Sequence, residues 1–327
     1  MEQRAASAAK AVLAVDIGGT KIAAGVVTPD GRVLAVDRMP TLPQQGPASA
    51  LERLRTLVQR LADQSEQPLA AIGIGSVGPI DVQKGTIVEA SNLPDWHDVP
   101  LTATLSEALH LPAFLANDAN AAALGEYRFG AGQGAASLVY LTASTGIGGG
   151  VVIHGKLLDG TSGNGFEIGH TTLVHNGRPC GCGNFGCLEA YASGSAIAAF
   201  ARQAVARGIP SVLTELADTT EAITAVHVAE AVRRNDPLAT TLWYEAMEAL
   251  GAGVATTINL INPDRVVIGG GLTHSADLLF PAVRRATRRH ALKALADIVE
   301  IVPAALGDRV GILGAAAVAL HHLQSDG

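Results

Sequence analysis

The sequence predicts an α/β protein, a mainly parallel sheet with helices over both faces, and three observations carry that expectation. Short apolar runs alternate with longer stretches whose apolar residues recur every three or four positions, the pattern of strands leading into amphipathic helices. Aromatic residues are only 4% of the chain against 48% hydrophobic residues, so the core must be built from Ala, Val, Leu and Ile. At about 150 residues per domain, a length of 327 accommodates about two domains.

Each element follows from its local pattern. Val12 to Val15, Ile22 to Val27 and Arg32 to Val36 are runs separated by the turn signals Gly18-Gly19 and Pro29-Asp30-Gly31, which predicts three strands in hairpin succession. Leu51, Leu54, Leu57, Val58 and Leu61 share one face of a helix over Ala48 to Ala62, with Glu52, Arg53, Arg55 and Arg60 facing away. Ala71 to Ile74 reads as a strand, Ser91 to Pro100 as a loop rich in Asn, Pro and Asp, and Leu101 to Leu109 as a helix. Ala113 to Ala116 is a buried strand, followed by an Ala-rich helix over Ala119 to Leu124. Beyond it come strands at Ser137 to Leu141 and Gly150 to Ile153, a Gly/Cys loop to Gly186 and Ala-rich helices to Ala252. A strand at Arg265 to Ile268 and a helix near Gly314 to Leu323 complete the chain.

Composition narrows the partners. A net charge of -7 argues against a nucleic-acid binder, whose affinity comes from Lys and Arg neutralising phosphates, and favours a small metabolite. The longest uncharged stretch, Phe129 to Gly155, holds eight glycines and Ser144-Thr145, so it reads as strand, turn and strand rather than as a membrane span. Near the N-terminus, which carries Arg4 and Lys10, the apolar run Ala11 to Val15 stops at Asp16, too short for a signal sequence. A cytoplasmic protein with no membrane partner is expected.

Two glycine patterns fail on context. Gly73, Gly75 and Gly78 satisfy G-x-G-x-x-G, but Pro79-Ile80-Asp81-Val82 follows where a dinucleotide site needs a helix N-terminus. Gly150 to Gly155 with Lys156 resembles a P-loop, but Leu157 stands where a hydroxyl would hold Mg²⁺.

Other segments carry chemistry. In Asp16-Ile17-Gly18-Gly19-Thr20-Lys21, between two strands, backbone N–H groups can turn towards a phosphate, with Thr20 as hydroxyl donor, Lys21 as cation and Asp16 placed to hold Mg²⁺ through water. The plain alternative is a hairpin turn with permissive glycines. Ser144-Thr145-Gly146-Ile147-Gly148-Gly149-Gly150 repeats the arrangement, and Gly269-Gly270-Gly271 after a third strand could admit a flat ring. Three such turns together favour a nucleotide. Asp118, after Asn117 at a strand's end, could be a helix N-cap, the base beside an accepting hydroxyl, or both.

All three cysteines fall between Cys180 and Cys187, which is not a disulfide framework. His170, Cys180, Cys182 and Cys187 suffice for a closed tetrahedral Zn²⁺ site, and Gly181, Gly183 and Gly186 let the chain wrap an ion. Inert thiols and a redox pair are the alternatives. Glu167 and Glu189 flank the unit as two carboxylates suited to polyol hydroxyls.

On these residues the chain resembles the sugar kinases of the ROK family, above all bacterial glucokinases, from Asp16 to about Gly314. The most specific stretch is Glu167-Ile168-Gly169-His170 through Cys180-Gly181-Cys182-Gly183-Asn184-Phe185-Gly186-Cys187-Leu188-Glu189, then Ala192-Ser193-Gly194. Asn117-Asp118-Ala119-Asn120-Ala121-Ala122-Ala123 through Gly125-Glu126 is similar to the family's catalytic segment.

The resemblance implies an actin-like, RNase H-type, two-lobed ATPase-domain fold with mixed sheets and flanking helices, its lobes closing around a cleft. It implies a smaller lobe over 1–116, completed by the C-terminal helix near 314–327, and a larger one over 117–313 with the zinc loop and a dimerisation surface. It implies ATP and Mg²⁺ as cosubstrates, structural Zn²⁺, and a homodimer or homotetramer. Carried over, Asp118 is the base, Asn117, Asp118, Glu167, His170 and Glu189 are sugar contacts, and His170 also binds zinc through one nitrogen. Asp16, Gly18, Gly19, Thr20 and Lys21, with Ser144, Thr145, Gly146 and Gly148, form the two phosphate loops; Gly269 and Gly270 complete the nucleotide contacts. Ser144 departs from the family, where many members carry Gly. The expected activity is phosphorylation of a hexose, D-glucose first, with N-acetylmannosamine or fructose as rival acceptors and a non-catalytic sugar sensor as the rival class. Too little chain precedes Val12 for the DNA-binding region of the family's repressors.

Overall fold

A computed structural model describes residues 10–90 and 93–325. Arg4, and residues 91 and 92 of the expected loop, lie outside the described residues. The chain divides into two compact units, one formed by 1–133, 157–165 and 306–327 and the other by 134–156 and 166–305.

In the first unit, β1 (Ala11–Ile17), β2 (Lys21–Val27) and β3 (Val33–Pro40) form the expected hairpin succession. α1 (Gly46–Asp63) buries Leu54, Leu57, Val58 and Leu61 of the face read from its spacing, with Ala50 fully buried and Leu51 only half-buried at its start. β4 (Leu69–Ser76) follows, then β5 (Ile80–Asp81), β6 (Thr86–Ala90) and β7 (Leu93–Pro100), which make a small sheet of three strands. Here the loop expected over 91–100 is corrected: residues 93–100 are strand. Asp95 and Asp98 have positive φ, which breaks the two-residue alternation that marks a strand in sequence. α2 (Leu101–Leu109), β8 (Ala113–Asn117) and α3 (Asp118–Phe129) complete this part.

The main sheet runs in the order β3-β2-β1-β4-β8. It is mixed rather than mainly parallel: β1 pairs with β2, and β2 with β3, antiparallel, whereas β1 with β4 and β4 with β8 are parallel. The C-terminal helix, Val310–Ser325, packs on it because small residues face it. A Cβ on Gly73 would sit 1.8 Å from the Ala315 carbonyl oxygen, and one on Gly125 would sit 2.9 Å from the Gly314 Cα. The glycine at 73 in the rejected dinucleotide pattern therefore serves sheet-to-helix packing. α3 and the C-terminal helix pack on each other and on β4, and all three lie in the first unit.

The second unit begins with β9 (Ser137–Ala143), β10 (Ile147–Ile153) and β11 (Lys156–Leu157). α4 (Glu189–Ala192), α5 (Gly194–Ala206), α6 (Leu213–Leu216), α7 (Ala225–Arg233) and α8 (Pro237–Ile261) follow. Then come β12 (Arg265–Gly269), α9 (Ala276–His290), α10 (Lys293–Ala296) and β13 (Glu300–Pro303). The last Ala-rich helix runs on past Ala252 to Ile261, because Thr257 and Ile258 stay buried.

Its sheet order is β11-β10-β9-β12-β13, with β9–β10 antiparallel and β9–β12 and β12–β13 parallel. Both units thus repeat one topology, a hairpin joined to two parallel strands, although the sequence shows no repeat of fixed period.

Candidate functional site

In the first unit the phosphate-type turn and the catalytic-type segment leave the sheet along one edge. Asp16 pairs with Gly75 and Gly75 with Ala116 in parallel register, so Asn117 and Asp118 emerge two strands from Asp16, a spacing of about 10 Å. The 18–21 turn is a hairpin closed by Gly18 N–H donating to the Lys21 carbonyl at 3.0 Å. Buried Thr41 fixes it from below, donating its N–H to the Thr20 carbonyl and its hydroxyl to the Gly18 carbonyl. Arg53 in turn holds the Thr41 and Pro40 carbonyls at 2.6 and 2.7 Å. Burial pushes the Asp16 carboxyl up from its ordinary value, partly offset by the Lys21 cation. A half-buried carboxylate held this way suits a divalent cation.

The N-cap of α3 is Asn117, not Asp118: its side chain accepts the Ala119 N–H at 2.9 Å. Asp118 is the first helical residue, exposed, with Oδ1 2.7 Å from the same N–H. Asp118 thus follows the capping residue and opens the first turn of α3.

In the second unit the 144–146 turn and Gly269-Gly270 lie on one sheet edge, since Thr142 pairs with Gly269. Gly148, Gly149 and Gly150 lie within β10, so the turn proper is Ser144-Thr145-Gly146. It is anchored on α5, whose Gly194 and Ser195 N–H groups donate to the Ser144 and Thr145 carbonyls at 2.7 and 3.2 Å. Gly270 has φ of 88°, and the place of its Cβ is filled by the Ala143 carbonyl, while Tyr140 Oη fills that of Gly269. Those two positions demand glycine for the protein's own packing.

The four expected metal ligands converge. One ligand atom from each of His170, Cys180, Cys182 and Cys187 lies within 4.8 Å of every other. His170 Nδ1 is 3.8 Å from Cys180 Sγ, and the Cys182 and Cys187 sulfurs are 3.7 Å apart. A tetrahedron with Zn–S bonds of about 2.3 Å has edges of about 3.8 Å, so the set fits Zn²⁺. Burial pushes the Cys187 thiol up to about 12 and raises Cys180, whereas the Asn184 backbone N–H lowers Cys182.

The knuckle is strapped to the helices by Tyr191, whose hydroxyl accepts the Arg178 N–H at 2.9 Å, and by the Arg178 guanidinium over Phe200. Burial raises the Glu167 carboxyl, nearby His170 lowers it and the Glu189 carboxylate raises it. Thr41 and Tyr191 escaped sequence reasoning, since no local motif marks a residue that serves a distant turn; Arg53, expected to face away with the other charged residues of α1, is corrected to a half-buried side chain that reaches the Pro40 and Thr41 carbonyls.

The ROK family profile matches residues 12–322. Glucokinase of Thermotoga maritima is 39% identical over 307 residues, covering 94% of this chain and 96% of that protein. A solved ROK hexokinase from Thermus thermophilus has a TM-score of 0.82 at 37% identity, covering 97% of this chain and all (100%) of its own. A ROK glucokinase from Streptomyces griseus, in complex with glucose and AMPPNP, has a TM-score of 0.79 at 37% identity, covering 94% and 99%. These likenesses and the mixed sheets bear out the actin-like α/β fold.

Proposed function

The chain belongs to the ROK family, and from that premise we propose that it is an ATP-dependent hexose kinase converting D-glucose to glucose 6-phosphate, with Asp118 as general base. The observation that carries this reading is the Asn117-Asp118 pair, leaving the sheet on the edge of the Asp16–Lys21 turn in a chain 39% identical to a glucokinase.

In this reading the Asp118 carboxylate takes the proton of the sugar 6-hydroxyl as its oxygen bonds to the γ-phosphorus. The bond from that phosphorus to the bridging oxygen breaks, and ADP leaves. Asn117, Glu167, His170 and Glu189 hold the sugar hydroxyls. His170 faces the thiols through Nδ1, so Nε2 is the nitrogen offered to a hydroxyl. The 16–21 and 144–148 segments, with Gly269 and Gly270, receive the nucleotide. Bound Mg²⁺ supplies charge neutralisation of the phosphates, with Asp16 as the carboxylate to hold it; Zn²⁺ supplies the cross-link that fixes the knuckle.

Assembly as a homodimer or homotetramer belongs to the same reading and rests on the family resemblance. Thiols gathered for a metal rather than paired suit the cytoplasm. Among the described residues no helix is long and apolar enough to cross a membrane.

The test is sugar-dependent ADP release with Mg²⁺ and ATP across glucose, N-acetylmannosamine and fructose. Glucose is expected to give the highest kcat/KM, by about tenfold or more. Binding of sugar without ADP release would favour the non-catalytic sensor, and preference for another hexose would move the acceptor.

A further inference from the structure

Glu189 is joined to the Gly-rich turn as well as to the knuckle. Its Oε2 accepts the Ile147 backbone N–H at 2.8 Å, and a Cβ on Gly146 would sit 2.5 Å from the same oxygen. Its Oε1 lies on the knuckle side, 4.0 Å from Cys180 Sγ. Gly169, between Glu167 and His170 in sequence, also packs close to this point: a Cβ there would fall 2.0 Å from the Ile147 carbonyl oxygen. Ile147, where the turn enters β10, is thus held at its N–H by Glu189 and closely approached at its carbonyl by Gly169.

We propose that Glu189 is a positioning residue for the nucleotide loop: its carboxylate fixes the 144–147 backbone, so nucleotide affinity depends on it even when no sugar is bound. The proposal rests on the assignment of 144–148 to the nucleotide. One carboxylate oxygen is committed to Ile147 and the other faces the knuckle, so a single side chain ties turn, metal loop and sugar pocket into one rigid piece. A residue that only touched sugar would leave nucleotide binding in its absence unchanged.

The experiment is calorimetric titration of Mg²⁺–AMPPNP into the zinc-loaded protein without sugar, for wild type, Glu189→Gln and Glu189→Ala. Glutamine keeps one oxygen to accept the Ile147 N–H and should bind within about twofold of wild type, whereas alanine should bind about tenfold more weakly. In parallel, amide hydrogen exchange at Ile147 should quicken in Glu189→Ala and not in Glu189→Gln. Metal content shows that the knuckle is intact. If the alanine variant fails to fold, Glu189→Asp, which keeps the charge but falls short of Ile147, should show the same loss. Wild-type nucleotide affinity and exchange in the alanine or aspartate variant would overturn the proposal. Wild-type protein that binds no nucleotide would instead remove the loop's assignment, and the proposal with it.

Discussion

The carboxylate of Glu126 in α3 accepts the backbone N–H of Leu306 at 2.9 Å, joining positions 180 apart in sequence. Its other oxygen accepts the Ala131 N–H at 2.8 Å, and its carbonyl accepts those of Gly130 and Gly132. Fully buried Glu126 therefore ties the stretch where the chain first leaves the first unit to the point where it returns for the last time. The helix it does this from begins at Asp118.

Glu126→Ala removes the carboxylate that accepts the Leu306 and Ala131 N–H groups in a buried setting, while the backbone carbonyl still serves Gly130 and Gly132. The loss should be about 3 kcal/mol. Urea unfolding measures it, and a change under about 1 kcal/mol would show that the clamp contributes little.

For Asp16 the sign follows from its raised carboxyl. The folded chain holds the proton to higher pH than the unfolded one, so stability is fullest below the ordinary value of 3.8 and declines as pH rises through the raised one. Asp16→Asn should abolish that decline, leaving the ligand-free variant more stable than wild type at neutral pH but not in acid. Its turnover with Mg²⁺ and ATP should fall about 100-fold or more. Melting curves across pH and kcat together check this; a variant less stable than wild type at neutral pH would contradict the burial argument.

Cys182→Ser should strip the knuckle of its metal. Metal content should drop from one Zn²⁺ per chain to near none, and the KM for glucose should rise about tenfold. Because Cys187 ionises only near 12 without the ion, zinc uptake at neutral pH should release protons. Titration in buffers of different ionisation enthalpy reads that release, and full glucose affinity in a metal-free variant would separate knuckle from pocket.

Strands and ligand sets were legible where the signal is local. The α1 face, the first hairpins and the His170–Cys187 knuckle follow from spacing alone, because one helix turn or one tight loop brings their residues together. The Asp95 and Asp98 conformations hid β7, and the repeated topology of the two sheets leaves no periodic trace, since it lies in strand order rather than in side chains. Sequence context rejected the nucleotide pattern at Gly73, but only the fold shows what that glycine is for, the close approach of the Ala315 carbonyl. Glu126 directly follows the Ala-rich stretch 119–125, and its partner at Leu306 is visible only in the fold. Asp118 was read as a base and as a cap, and only the geometry gives the cap to Asn117.

The most direct test is Asp118→Asn, nearly the same shape without the base. Glucose affinity should stay within about threefold of wild type while kcat with ATP falls about 1,000-fold or more. Turnover within about tenfold of wild type would contradict the assignment of Asp118 as the group that takes the hydroxyl proton.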